Sequence, residues 1–252
     1  MAEAFQITLA GLTVEVRAKF PYARAFCRDY LRETEGAASV TAQASEEEME
    51  QDRKTVGASS RCRAEVVSLY RSIAEQLPAL GRFVCHGAAI SYGGRAYLFL
   101  APSGTGKSTH ICLWRQYIGC RVGMINGDKP VIDASGEVPL VCGTPWAGKE
   151  GWQRNVSVPL GGVCLLRRGE TDRIRREKPG DYLGELMNQV YRPEDPAAYL
   201  DTLTLMNRVF EKSPFYVLDC TPTENAVKTA FPAMTGEDWP RTGECVRREE
   251  IL

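Results

Sequence analysis

The chain has 252 residues and a net charge of −1 at neutral pH, with 44% of its residues hydrophobic and 25% charged. This balance is typical of a soluble globular protein and excludes a general electrostatic affinity for nucleic acid or for an anionic membrane surface. No apolar stretch approaches the roughly 20 residues of a membrane-spanning helix, so we expect neither a nucleic-acid partner nor a membrane partner.

The cysteine pattern and the N-terminal residues indicate the cellular compartment of the protein. Nine cysteines are scattered along the chain without a C-x-x-C pair, and only His86 and His110 could join them as zinc ligands. The N-terminal residues carry neither the basic segment nor the apolar core of a secretory signal. We therefore expect reduced, mostly buried cysteines in a cytoplasmic protein.

Residues 1–82 are predicted to form a small α+β part. The segments 5–9 and 12–16 alternate apolar and polar residues around Ala10-Gly11, a pattern that predicts a hairpin. Residues 22–31 then have helical spacing.

The rest of this part divides into an irregular and a regular segment. Residues 34–61 are small, polar and charged, and we interpret them as a flexible excursion or an edge element. Within them, Glu46-Glu47-Glu48 is interpreted as a solvated acidic turn. Residues 62–80 show the apolar spacing of an amphipathic helix that ends near Pro78.

The middle of the chain, residues 83–170, is rich in predicted strands. Short apolar segments bounded by turn residues predict strands at 83–86, 88–92, 96–100, 122–125, 130–133, 138–141 and 162–166. Gly93-Gly94 forms a two-residue hairpin turn between the second and the third of them. This direct antiparallel connection departs from strict alternation of strand and helix, and it predicts a mixed β-sheet.

The most informative motif follows the predicted strand 96–100. It reads Ala101-Pro102-Ser103-Gly104-Thr105-Gly106-Lys107-Ser108-Thr109 and leads into a predicted helix at 109–117. An apolar strand, a glycine-bearing loop and Lys-Ser/Thr at a helix start are the arrangement of a phosphate-binding P-loop, here with Ala101 at the usual first glycine.

The residue types in this loop suit that chemistry. Gly104 and Gly106 allow a backbone that turns the N–H groups of residues 103–109 toward one anion, and the helix dipole favours negative charge there. Lys107 can reach the β- and γ-phosphates of a nucleotide, and the Ser108 hydroxyl can bind Mg²⁺.

Residues 178–252 are predicted to be mainly helical. Segments 180–191 and 194–212 fit two helices, and 215–220 fits one more strand. Thr221 is the predicted N-cap of a last helix, since a proline and a glutamate follow at favourable positions.

Five segments together carry a family resemblance. They are His86-Gly87-Ala88-Ala89, the Gly93-Gly94 hairpin, the P-loop 101–109, Asn126-Gly127-Asp128-Lys129-Pro130 and Gly143-Thr144-Pro145-Trp146-Ala147-Gly148-Lys149. In this combination the chain resembles the bacterial HPr kinase/phosphorylase-like family, whose relatives include kinases encoded beside peptide natural-product genes. The resemblance is strong over 83–170 and looser over 171–232.

The resemblance implies a fold class and a division of the chain. The α/β fold would be similar to that of phosphoenolpyruvate carboxykinase, with the P-loop on a mixed sheet and a helical C-terminal part. We predict a P-loop kinase-like domain at residues 83–252. The 82 residues before it do not look like the larger N-terminal domain of HPr kinases, and we expect them to help present the acceptor.

The resemblance also implies ATP and Mg²⁺ as cofactors and names three further site residues. Asp128 follows an apolar strand and is our candidate for Mg²⁺ binding and for the base. The family usually has two adjacent aspartates there, whereas this chain has Gly127 before Asp128. His86 is expected to orient a hydroxyl or touch phosphate, and Lys149 to clamp the γ-phosphate.

Three other residues near these motifs are weaker candidates for the phosphate site or are expected to have structural roles. Arg154 is a second candidate cation of the same kind as Lys149. Trp146 is expected in the core rather than in the pocket wall, and His110 is expected on the surface or in packing.

We expect an ATP-dependent kinase of a Ser or Thr hydroxyl on a peptide or small protein. A nucleotide-binding regulator without kinase activity and a kinase of a small-molecule hydroxyl stay open as alternatives. A GTPase switch is disfavoured because the chain lacks an Asn-Lys-x-Asp segment. The oligomeric state is open, and a homo-oligomer is one option.

Overall fold

The computed structural model describes residues 3–34, 36–55 and 57–240. Their strands form a three-stranded sheet and a nine-stranded sheet. The first sheet contains β1 (Glu3–Leu9), β2 (Leu12–Ala18) and β3 (Val40–Gln43). The second contains β4 (Arg82–Val84), β5 (Gly87–Tyr92), β6 (Arg95–Leu100), β7 (Gly123–Asn126), β8 (Val131–Asp133), β9 (Leu140–Cys142), β10 (Ser157–Arg168), β11 (Arg173–Arg176) and β12 (Phe215–Cys220).

Helices cover both sheets. They are α1 (Pro21–Phe26), α2 (Glu46–Thr55), α3 (Arg61–Gln76), α4 (Lys107–Ile118), α5 (Leu183–Met187), α6 (Pro196–Lys212) and α7 (Glu224–Thr235). None of the helices within the described part of the chain is long and apolar enough to cross a membrane. The predicted mixed α/β architecture is confirmed at this level.

The first hairpin is confirmed, and so is the long helix that follows it. Ala10 and Gly11 both have positive φ, 48° and 76°, as a tight two-residue turn between twisted antiparallel strands requires. Helix α3 begins after Ser60, whose hydroxyl accepts a hydrogen bond from the amide of Arg63. The predicted helix at 22–31 is shorter, because α1 ends at Phe26 and a 3₁₀ turn follows at Arg28–Tyr30.

For residues 34–61, the edge element is confirmed, because β3 is an edge strand of the small sheet, whereas the flexible excursion and the acidic turn are wrong. The segment contains strand β3, which lies parallel to β2, and helix α2, whose first turn is the acidic run. The amide of Glu48 donates to Ser45 Oγ at 3.1 Å, and the amide of Ser45 donates to Glu48 Oε2 at 2.7 Å. This reciprocal capping box starts the helix, and acidic side chains in the first turn suit the helix dipole.

The large sheet is mixed, as the glycine hairpin predicts. Strand β6 lies parallel to β10, and β10 lies parallel to β12. Strand β5 lies antiparallel to both β6 and β7. The first residues of β10 pair with β9, which extends the sheet through β8 to β4.

This pairing brings several strand ends to one edge of the sheet. The carboxyl ends of β6, β7, β10 and β12 point the same way, and the amino end of the antiparallel β5 joins them, since Gly87 pairs with Leu100. Loops at the carboxyl ends of parallel strands are the usual position of a binding site in such sheets. The P-loop after β6, the turn with Asp128 after β7 and His86 before β5 all lie at this edge. The 143–149 loop with Lys149 follows β9, which is antiparallel to β10 and ends beside the first residue of β10.

The sheet has an apolar layer on each face. Helices α4 and α7 pack on one face, around Trp114 and Phe231, and α6 packs on the other through Met206 and Val209. A third cluster joins the small sheet and α3 to the large sheet and includes Trp146. The N-terminal residues therefore share a continuous core with the strands that carry the candidate site.

The C-terminal elements differ in detail from the prediction. Residues 180–191 form only a 3₁₀ turn at Pro179–Tyr182 and the short α5. Strand β12 matches the prediction at both ends. The last helix has Thr223 as its N-cap rather than Thr221. The reason is that the amide and hydroxyl of Thr221 both donate to the Asp172 carboxylate, which holds Thr221 outside the helix.

Candidate active site

The P-loop connects the end of β6 to the start of α4. Gly104 and Gly106 have φ of 79° and 118°, a region that side-chain-bearing residues rarely adopt. Apart from the adjoining residues, no atom lies within 4 Å of the position that a Cβ would take at either glycine, so the positive φ and not crowding favours glycine there. Gly106 precedes α4 without a side-chain cap, and the first N–H groups of the helix lack intrahelical partners. The loop thus has the form of an anion cradle.

Lys107 is folded back against this loop. Its ammonium donates to the carbonyl oxygen of Ala101 at 2.6 Å and lies 3.5 Å from that of Pro102. Its Nζ is also 3.3 Å from Nε2 of His86. Burial lowers the pKa of Lys107 from its ordinary value, although the charge of Asp128 opposes this. A phosphate beside the loop would favour the charged lysine.

Asp128 and His86 meet next to Lys107. Oδ1 of Asp128 lies 3.3 Å from Nε2 of His86, and its Oδ2 lies 3.3 Å from Nζ of Lys129. Burial tends to raise the pKa of Asp128, but the hydrogen bond from His86 and the charge of Lys129 outweigh it and hold the pKa below its ordinary value. The carboxylate is therefore ionised at neutral pH.

A buried amide fixes the turn that presents Asp128. The side chain of Asn126 is fully buried, and its Oδ1 accepts hydrogen bonds from the amides of Asp128 at 2.9 Å and Lys129 at 2.7 Å. Its Nδ2 donates to the carbonyl and the hydroxyl oxygen of Thr144, at 2.9 and 3.1 Å. Asn126 is not among the predicted site residues, although an Asn two residues before a candidate carboxylate favours an Asx turn.

Close packing explains the glycine before Asp128. A Cβ on Gly127 would lie 2.7 Å from the carbonyl oxygen of Ala147, closer than real Cβ contacts. A second aspartate at this position, as the resemblance would suggest, does not fit unless the 143–149 loop moves. The departure at Gly127 is thus part of how this loop packs against the Asp128 turn.

The 143–149 loop is held from the N-terminal side. Trp146 is buried, its Nε1 donates to the carbonyl oxygen of Val66 in α3 at 3.0 Å, and its ring lies 5.5 Å from that of Tyr70. Trp146 is therefore a core residue, as expected. A Cβ on Gly148 would lie 3.2 Å from Cβ of Asp128, so the loop lies directly against the candidate carboxylate.

Lys149 and Arg154 are not brought to this cluster. Lys149 is exposed, and within the described part of the chain it has no hydrogen bond or ion pair. Arg154 is also exposed, and its guanidinium lies beside Gly123, at the end of β7 opposite to Asp128. Of the predicted cations, only Lys107 lies beside the His86–Asp128 pair, and Lys129, which was not predicted, lies beside Asp128.

His110 has a packing role. It is buried, accepts a hydrogen bond from Nε1 of Trp114 at 2.9 Å, and stacks edge-on against Phe99 with ring centroids 4.8 Å apart. Burial lowers its pKa to about 3, so the ring is neutral in the folded protein.

Arg168 contacts the P-loop and is not among the predicted site residues. It ends β10, and its guanidinium donates to the carbonyl oxygen of Gly104 and lies 3.5 Å from that of Thr105. Arg168 therefore ties the tip of the P-loop to the neighbouring strand. This contact joins positions 64 residues apart, and no local pattern indicates it.

The oxygen ligands available for a metal are few. Ser103 and Thr109 are exposed in the loop and the first turn of α4, and Ser108 is half-buried. Among the described residues, no group of three or more His, Cys, Asp or Glu side chains could hold a metal ion. The Ser108 hydroxyl and the Asp128 carboxylate are the kind of sparse, all-oxygen donor set that suits Mg²⁺, which keeps several waters and binds substrate phosphates.

Comparison with known proteins adds no family assignment. No protein-family model matches the chain, and a search of curated proteins gave no significant match.

Proposed function

We propose that this protein is an ATP-dependent phosphotransferase that phosphorylates a Ser or Thr hydroxyl on a peptide or small protein. One observation carries the proposal. The glycine cradle and the His86–Asp128 pair lie at one sheet edge, and the Lys107 ammonium lies between them, 2.6 Å from the loop carbonyl of Ala101 and 3.3 Å from His86. The mixed sheet agrees with a fold like that of phosphoenolpyruvate carboxykinase, which is part of the same proposal.

The nucleotide phosphates would bind in the cradle. The N–H groups of the loop and of the first turn of α4 supply donors and a positive dipole end, and Lys107 supplies a charge. The amide of Thr105 donates to the carbonyl oxygen of Pro102 at 3.2 Å and is not among these donors. On this proposal Lys107 exchanges its carbonyl contacts for the β- and γ-phosphates. Ser108 and Asp128 would hold Mg²⁺, which when bound neutralises charge that develops on the phosphates.

The acceptor hydroxyl would be activated beside Asp128. Its oxygen attacks the γ-phosphorus, the bond from that phosphorus to the β–γ bridging oxygen breaks, and ADP leaves. The hydroxyl proton passes to the Asp128–His86 pair. Since Asp128 is the only carboxylate in this turn, His86 gives the pair a second proton-accepting atom.

The position of His86 makes its protonation state consequential. Nε2 lies 3.3 Å from a donor, Lys107 Nζ, and 3.3 Å from an acceptor, Asp128 Oδ1. A ring without a proton on Nε2 can accept from Lys107, whereas a ring with a proton there can donate to Asp128. Movement of one proton thus changes the partner of His86, which suits a residue that shares the proton of the acceptor.

The N-terminal residues would form one wall of the acceptor site. They hold the 143–149 loop through Val66 and Tyr70, and that loop lies against Asp128. The exposed Lys149 in the same loop would reach the γ-phosphate only after the loop closes over a bound nucleotide. The support for this step is its exposure and its place in the chain next to Gly148.

Gly127 gives some support to a second function, a nucleotide-binding regulator without kinase activity. A turn with one carboxylate has lost one acidic group relative to the pattern that the chain resembles. A kinase of a small-molecule hydroxyl would use the same residues and differs only in its acceptor.

The test is phosphoryl transfer followed by mass spectrometry. Wild-type protein is incubated with MgATP and a library of Ser- and Thr-containing peptides, beside the Asp128→Asn variant. We expect peptides that gain one phosphoryl group with the wild type and not with the variant. ATP binding without any phosphorylated peptide would contradict the peptide-kinase proposal and favour the regulator or a small-molecule acceptor.

A further inference from the structure

A cavity of about 370 Å³ opens on one side of the P-loop. Besides the loop itself, its walls come from α4 and from the carboxyl ends of β10 and β12, and they include Leu113, Arg168, Gly169, Cys220, Thr221 and Pro222. In the sheet, β10 and β12 lie on one side of β6, and β5 and β7 lie on the other. The cavity and the His86–Asp128 pair therefore flank the P-loop from opposite sides.

We propose that this cavity holds the base and ribose of the donor nucleotide, an inference that rests on the proposed phosphotransferase function. A triphosphate is a chain with a direction, and its γ-phosphate must face the groups that activate the acceptor hydroxyl. With the γ-phosphate toward Asp128, the α-phosphate and the nucleoside leave the cradle on the side of β10. The cavity lies where that end emerges.

The size and the walls of the cavity suit a nucleoside. Its volume falls at the lower end of the roughly 300–1,000 Å³ of small-molecule sites. Thr109 and Leu113 line it from successive turns of α4, which starts with the P-loop lysine, and Pro222 adds an apolar surface. A flat base can pack on such walls while the phosphates stay in the cradle.

The charge of the cavity also suits the phosphate-proximal end of a nucleotide. Among the described residues that line it, none is an Asp or Glu, and Arg168 provides a cation beside the loop tip. The carboxylate of Asp172, which lies next to the lining residue Thr221, accepts hydrogen bonds from the amide and hydroxyl of Thr221. No unpaired carboxylate on these walls would repel an anionic ligand.

The experiment compares two ligands by calorimetry. MgATP carries the nucleoside, whereas magnesium tripolyphosphate carries three phosphates without it. Both are titrated into the wild type, Leu113→Trp, and the matched control Leu200→Trp, whose leucine is 62% exposed on α6. In Leu113→Trp we expect about tenfold or greater weakening of MgATP binding and tripolyphosphate binding within about twofold of the wild type. The control should match the wild type with both ligands.

The titrations distinguish a wrong assignment of the cavity from a wrong phosphotransferase proposal. Wild-type affinity of Leu113→Trp for MgATP would overturn the cavity assignment and leave the phosphate site intact. A wild type that binds neither ligand would overturn both. As a second measurement, photolabelling with 8-azido-ATP and peptide mapping should mark residues 104–113, 168–169 or 220–222, and labelling confined to other peptides would also overturn the assignment.

Discussion

Nε2 of His86 lies 3.3 Å from Oδ1 of Asp128, although the two residues are separated by 42 positions in the chain. The contact exists because β5 runs antiparallel to both β6 and β7, which brings the start of β5 to the end of β7. The amide of Gly87 also donates to the carbonyl oxygen of Asp128 at 2.8 Å. The proposed general base and its partner are thus fixed by backbone pairing rather than by mobile loops.

The first prediction concerns Asp128. Replacing it in Asp128→Asn keeps the shape of the side chain but removes its negative charge and its ability to accept a proton as a base. We expect kcat for phosphoryl transfer to fall about a hundredfold or more, with a much smaller change in ATP affinity. The matched control is Glu150→Gln, an exposed carboxylate in the neighbouring loop, which should behave as the wild type. Equal losses in binding and in turnover would count against a catalytic role.

The second prediction concerns Gly127. The Cβ of Gly127→Asp would meet the carbonyl oxygen of Ala147 at 2.7 Å, so we expect a loss of about 1–3 kcal/mol in the free energy of unfolding. Gly180→Asp makes the same change where no atom lies within 4 Å and should cost far less. Urea unfolding measures both. If Gly127→Asp is as stable as the control, the packing explanation for the single carboxylate is wrong.

The third prediction concerns the attachment of the 143–149 loop. Trp146→Phe keeps an aromatic ring but removes the donor to Val66, and we expect a loss of about 1 kcal/mol of stability together with a lower kcat. The control is Trp239→Phe, whose indole N–H has no hydrogen bond within the described residues. Chemical denaturation and the peptide assay report the two effects. An unchanged kcat would show that this contact does not position Asp128.

The fourth prediction concerns the pH dependence of stability. Burial lowers the pKa of His110 to about 3 from the ordinary 6.5, so the unfolded chain binds a proton more readily than the folded protein between these values. Stability due to neutral His110 is present above pH 6.5 and is lost as pH falls toward 3. In His110→Gln, the decline below pH 6 should be shallower by about 1.4 kcal/mol per pH unit. Parallel curves for wild type and variant would contradict this assignment.

Local sequence patterns predict much of the fold. The turn residues Gly93-Gly94 predict the hairpin, and the hairpin predicts the mixed sheet that the structure contains. The segment Ser45-Glu46-Glu47-Glu48 shows that a local signal can also be overlooked: it is a capping box, but the acidic composition suggested a turn. Segment 180–191 contains Gly180 and Gly184, which limit helix formation and leave only a short helix there.

The residues of the candidate site also differ in whether a local sequence pattern predicts them. The P-loop was predicted from nine consecutive residues, and its geometry depends on glycines that the sequence displays. The contacts from Arg168 to the loop and from Trp146 to Val66 join residues 64 and 80 positions apart. Such contacts depend on how whole elements pack, and a single sequence contains no periodicity that reports them. Lys149 is the opposite case: the family resemblance predicts that it contacts the γ-phosphate, but its side chain is exposed in the structure.

The most direct test of the central claim is calorimetric titration of MgATP into the wild type, Lys107→Ala and the control Lys54→Ala, an exposed lysine on α2. We predict binding to the wild type and the control, and at least about tenfold weaker binding to Lys107→Ala. Wild-type protein that binds no MgATP, or Lys107→Ala that binds it equally well, would contradict the assignment of residues 101–109 as a nucleotide phosphate site.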